Sequence, residues 1–235
     1  MMKFKICAML LLLVMGGSSS AQQFHGPPAL LAFMTSEFYP TGNLGGLAGA
    51  DANCQRLADN AGIDGTYKAW LSDSNTDAAT RFEGSIKYLP YVRVDGVKVA
   101  DDWDDLTDGN IDVTITVFEN GNATGAGAFS PWTGTNTDGT KDEGGRFCND
   151  WTSSSVDVQA LWGRWVNTDS LWTDAGPGQC NGWRAPDNTR LDPHPLYCLE
   201  YRLPPPQLPA LSPWGLIIAI LALGLLGVTA VRGRT

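Results

Sequence analysis

An uncharged apolar run stands near each end of the chain, and together the two runs decide which residues are left to build a folded core. Residues 1–5 carry Lys3 and Lys5 and no acid, and residues 6–15 are apolar but too few to cross a bilayer as a helix. Gly16, Gly17 and three serines follow, with Ser19 and Ala21 at the small-residue positions that a signal peptidase reads. Residues 1–21 are therefore predicted to be a secretory signal peptide cut after Ala21. At the other end, residues 214–231 contain no charge, and as a helix they would be about 27 Å long, close to a hydrocarbon core. Residues 232–235 close the chain with Arg232 and Arg234, and basic flanks of a span stay cytoplasmic. Both ends thus predict an inner-membrane-anchored precursor whose folded part lies outside the cytoplasm.

What remains is acidic. Four of the 16 basic residues lie in the end segments and none of the 25 acids do, leaving 12 bases against 25 acids, a formal charge of −13. Such a surface repels phosphate backbones and anionic lipid, which argues against a nucleic-acid partner. Of five cysteines, Cys7 leaves with the signal peptide; Cys54, Cys148, Cys180 and Cys198 remain. An even count in an exported domain predicts two disulfides, with three pairings open. Neither a Cys-x-x-Cys nor a histidine-rich spacing suggests zinc, and His25 and His194 are the only histidines.

One domain is expected over residues 29–202, after a short lead and before a linker at 203–213 that is stiffened by proline. Residues 30–34 read as an opening strand. Leu47, Ala50, Cys54, Leu57, Ala58 and Ala61 recur at spacings of three and four, the mark of an amphipathic helix that Gly62 would stop. Residues 67–71 read as a strand, and residues 91–100 alternate around Asp95-Gly96 as a hairpin. Beyond Asp101 the chain is loop-like and rich in tryptophan, with late strands expected at 160–166 and 196–201. The predicted class is α+β, loop-rich, with a strand near each end of the domain. Trp70, Trp162 and Trp165 lie in strand-like runs and are assigned to the core; Trp103 and Trp183, flanked by polar loop residues, are the candidate exposed anchors.

Residues 41–54 (TGNLGGLAGADANC) and 65–73 (GTYKAWLSD) resemble a bacterial family of endostatin-like domains within the C-type-lectin-like fold. So do residues 101–109 (DDWDDLTDG), 132–136 (WTGTN), 148–151 (CNDW) and 196–200 (LYCLE), so the resemblance spans nearly the whole domain. It implies two nested disulfides, Cys54–Cys198 and Cys148–Cys180, and a ligand site in the long loop region. Sugar-binding members of the wider fold carry Glu-Pro-Asn or Gln-Pro-Asp there, and Trp-Asn-Asp before a cysteine. This chain has Ala185-Pro186-Asp187, which lacks the first ligand, and its Asn149-Asp150 pair follows Cys148. Asn149, Asp150 and Asp187 join the two tryptophans as candidate ligand-binding residues.

The tail has a resemblance of its own. Residues 208–216 (LPALSPWGL) are similar to a Gram-negative sorting tag opening Ile-Pro-Thr-Leu-Ser-Glu-Trp-Gly-Leu, with Leu208, Pro209, Leu211, Trp214 and Gly215 as the motif. The similarity implies a processing enzyme of the exosortase kind; a plain C-terminal anchor is the simpler alternative.

No catalytic nucleophile elbow, His-Glu-x-x-His or phosphate loop is present, so the chain reads as non-catalytic. A binding module for a glycan or extracellular protein is the leading expectation. A structural envelope or matrix protein is the alternative, with a carbohydrate-active enzyme behind both. No cofactor is expected, although the run of acids at 101–108 offers Asp102, Asp105 and Asp108 as oxygen ligands for calcium. Its simpler use is turn capping.

Overall fold

A computed structural model describes residues 28–125, 130–184, 189–190 and 194–206. The predicted signal peptide, the sorting motif, the apolar run at 214–231, the basic tail and Asp187 lie outside these residues. Among the described residues no helix is long and apolar enough to cross a membrane. The chain divides into two units, residues 1–203 and 204–235, so the break falls at the start of the proline-rich linker.

The class is mixed α+β. Strand β1 (Leu30–Met34) is the pivot of a five-stranded sheet, and every one of its residues is buried. A strand covered on both faces reads as an unbroken apolar run, as Leu-Leu-Ala-Phe-Met does. Its alternation then sorts side chains into two cores. Leu31 and Phe33 enter the first and Leu30, Ala32 and Met34 the second. The neighbours are β2 (Tyr67–Ala69), β3 (Tyr91–Arg93), β4 (Lys98–Ala100) and β9 (Tyr197–Glu200), in the order β2-β9-β1-β3-β4. β9 runs antiparallel to β1 and β3 parallel to it. The hairpin around Asp95-Gly96 forms as its sequence requires, with Tyr91 opposite Ala100.

Helix α1 (Gly46–Ala61) covers the first core with Ala50, Cys54, Leu57 and Ala58 buried. It ends at Gly62, whose φ of 71° is a left-handed conformation that glycine adopts without cost. The Cys54–Cys198 disulfide bolts α1 to β9, the strand beside β1 in the sheet. The second bridge, Cys148–Cys180, lies inside the first in sequence, so the nested pattern implied by the resemblance is present. Opposite α1, short helices α2 (Ala78–Arg81) and α3 (Trp103–Leu106) close the second core.

The remaining elements are small: strands β5 (Gln159–Trp162) and β6 (Gly176–Gln179) pair with each other, as do β7 (Trp183–Arg184) and β8 (Thr189–Arg190). The strand expected over 160–166 stops at Trp162. Gly163 passes so close to another segment that a methyl there would lie 2.0 Å from the Trp172 carbonyl oxygen, and the chain turns away. Trp165 is only partly buried, against the second core. β2 likewise ends two residues earlier than expected, although Trp70 N–H still donates to the Tyr197 carbonyl at 2.8 Å.

Trp103 corrects the sequence reading. Polar neighbours suggested an exposed loop aromatic, but the residue is 6 % exposed. Its ring packs on Trp70, Phe82 and Tyr91 with centroids 5.7 to 6.5 Å away, and Lys87 Nζ sits 3.8 Å over it. The polar residues around it face out because α3 is a single helical turn that buries Trp103 and Leu106 only.

Candidate functional site

The site is built on an unusual turn. Four consecutive residues, Cys148, Asn149, Asp150 and Trp151, have φ of 51°, 51°, 55° and 62°. Left-handed backbone costs an L-residue about 1–2 kcal/mol, so a run of four persists only where tertiary contacts over-determine it. Three of the four side chains supply those contacts. Cys148 is bridged to Cys180. Asp150 accepts from Ser74 N–H at 2.8 Å and Ser74 Oγ at 2.9 Å. Trp151 is fully buried, and its Nε1 donates to the Ser72 carbonyl at 2.7 Å. The backbone is held too, since Leu44 N–H donates to the Trp151 carbonyl at 2.8 Å. Gly42 leaves room for the bridge: a methyl there would lie 2.0 Å from Cys148 Sγ.

Asn149 is the fourth residue. It is exposed, and its side-chain amide makes no hydrogen bond among the described residues. It borders an open cleft of about 290 Å³ whose lining includes Arg146, Val156, Asp157, Val158 and Gln159. The Gln159 amide, on exposed β5 backbone, is likewise without a partner among the described residues. Arg146 is steered by Asp142, which is 4 % exposed and receives Nε at 2.7 Å as well as Nη2. Burial works to raise the Asp142 carboxyl, but the hydrogen bonds and charge of Arg146 outweigh it and hold the group below its ordinary value. Val156, 48 % exposed, adds an aliphatic wall.

Of the expected site residues, the structure places only Asn149 at this cleft. Asp150 points away from it, into the loop at Ser74. The backbone of Trp183 opens β7 opposite Arg190; the position of its side chain lies outside what is described. The acids of the 101–108 run accept from backbone N–H groups of their own turns. Asp102 accepts from Asp105 N–H at 3.0 Å, Asp105 from Asp101 N–H at 2.6 Å, and Asp108 from Asn110 N–H at 3.0 Å. Among the described residues no three acidic, histidine or cysteine side chains converge to hold a metal ion. These carboxylates cap their own turns, the simpler use of such a run. Arg146, Asp157 and Gln159 had no signal of their own in sequence; only the Asn-Asp pair, tolerant of left-handed backbone, hinted at the turn.

The remaining buried titratable group of note is His194. It is 1 % exposed and stacked on Trp132 with centroids 3.8 Å apart. Nδ1 donates to the Ser130 carbonyl at 2.6 Å, and Nε2 meets no partner among the described residues. Burial pushes its pKa down from 6.5 to about 4. The unfolded chain therefore takes up this proton first as pH falls. The native state has this contribution in full above about pH 6.5 and loses it as pH drops toward 4, by about 3 kcal/mol. Urea midpoints at pH 7 and pH 4.5 should differ more in the native chain than in His194→Gln; equal shifts would refute the assignment.

No protein-family model matches the chain, and no curated protein matches it.

Proposed function

We propose that this chain is an exported, non-catalytic binding module of the C-type-lectin-like, endostatin-like kind, whose ligand is a glycan or an extracellular polypeptide. The observation that carries the reading is the left-handed turn: three anchored side chains present a fourth, Asn149, to an open polar cleft. A backbone fixed by the Cys148–Cys180 bridge and by Asp150 suits recognition, because the turn loses little freedom when a ligand arrives. The mixed α+β architecture and nested disulfides support the fold reading. A non-catalytic role is supported by how the buried acids are used: Asp142 clamps Arg146, Glu119 holds Ser36 N–H at 2.9 Å, and Glu200 holds Leu31 N–H at 3.0 Å. In the same reading a signal peptidase frees residue 22, and an exosortase-like enzyme acts on the 208–216 motif. The domain is thereby moved from an inner-membrane precursor to the cell surface or surrounding matrix.

A screen of the purified chain against immobilised glycans and extracellular polypeptides tests it. Asn149→Gly, which removes the amide but keeps a residue at ease with a φ of 51°, should weaken binding by about 1 kcal/mol, the usual worth of a hydrogen bond, with little change in melting temperature. A hit whose affinity ignores Asn149 would place the site elsewhere.

A further inference from the structure

We infer that the cleft beside the left-handed turn is a site for an uncharged saccharide, read through side-chain amides and not through a bound cation. The inference rests on the binding-module reading above and narrows its ligand. Asn149 and Gln159 each offer an acceptor oxygen and a two-hydrogen donor, with neither committed among the described residues. A sugar hydroxyl both donates and accepts, so adjacent hydroxyls are matched by one amide; an aliphatic or aromatic ligand would leave these groups unpaired. Val156 and Val158 give the same cleft an apolar wall for the C–H face of a pyranose ring. The volume, about 290 Å³, sits at the small end of ligand sites and suits one or two rings, not an extended chain.

Charge sets the class. Arg146 is the cleft's one cation, and the buried Asp142 carboxylate already neutralises it. Asp157 is then the uncompensated charge of the lining, and it is negative. A carboxylate, sulfate or phosphate on the ligand would be repelled, whereas a hydroxyl at the same position donates to Asp157. Among the described residues no group of three acidic, histidine or cysteine side chains forms here that could hold a cation.

The test uses the purified full chain with both disulfides formed, against an array of neutral, carboxylated and sulfated glycans alongside immobilised extracellular polypeptides, with and without EDTA. Neutral glycans should bind at least tenfold more tightly than their carboxylated counterparts, and chelation should change nothing. Asn149→Gly and Gln159→Ala should each weaken binding about fivefold, while Asp157→Asn should narrow the gap between neutral and acidic glycans. A preference for acidic glycans, or dependence on calcium, would overturn the inference. So would neutral binding that survives both amide variants. Capture of a polypeptide and of no saccharide would overturn it while leaving the wider binding reading standing; capture of neither would overturn both.

Discussion

Replacing both Cys54 and Cys198 by alanine should lower stability by roughly 5 kcal/mol, and replacing Cys148 and Cys180 by roughly 4 kcal/mol. The difference follows from the loops closed: the bridged residues are 144 apart in the first case and 32 in the second, and a longer loop has more freedom to lose. The outer pair also fills the first core, where all four sulfur-bearing residues are fully buried. Because a domain's net stability is about 5–15 kcal/mol, the outer double variant should be near or beyond its unfolding limit at 37 °C. Urea unfolding of the two double variants, followed by tryptophan fluorescence, decides the ordering. An outer variant as stable as the inner one would show that the disulfides do not act through loop closure.

Trp103→Ala should cost about 3–5 kcal/mol and leave ligand binding in the surviving folded molecules unchanged. The side chain meets three aromatic rings of the second core and carries Lys87 on its outer face. Truncation removes a bicyclic ring from between Trp70, Phe82 and Tyr91, and none of these can swing in, since each is itself fully buried. A binding defect without loss of melting temperature would show the opposite, that Trp103 works at the surface. Trp103→Phe should recover part of the stability, as an aromatic of smaller volume refills some of the gap.

Local periodicity was enough for the elements nearest the sheet. β1 has the expected limits, and α1 ends at the glycine that the pattern named. Both are dictated by residues a few positions apart, Leu30 to Met34 in one and the Leu47-to-Ala61 spacing in the other. The disulfide pairing came only through the family resemblance, because three pairings are equally consistent with four cysteines. Where contacts join distant segments, composition misled. Trp103 looks exposed beside its aspartates, yet is buried by Trp70 just after β2, Phe82 just after α2 and Tyr91 of β3. Trp162 ends a strand because Gly163 meets the backbone of Trp172, a contact invisible in either segment alone. The cleft was legible at Asn149 and nowhere else, since left-handed backbone at Cys148 and Trp151 runs against the preferences of both residue types.

The central strand sets a timetable for the molecule's own assembly. β1 is among the first described residues to emerge from any N-to-C process, yet its antiparallel partner, β9, ends at Glu200. Leu31 N–H waits for the Glu200 carboxylate, 169 residues later, and the sheet order places β9 between β1 and β2. A nascent chain lacking residues 197–200 can form α1 and the β3–β4 hairpin but cannot close the middle of its sheet. Folding dominated by such distant pairings is slow, and oxidation of Cys54 before Cys198 arrives leaves Cys148 and Cys180 as its available partners. In refolding from the reduced chain, an added thiol–disulfide isomerase should therefore speed recovery of the native pairing far more than an added proline isomerase does.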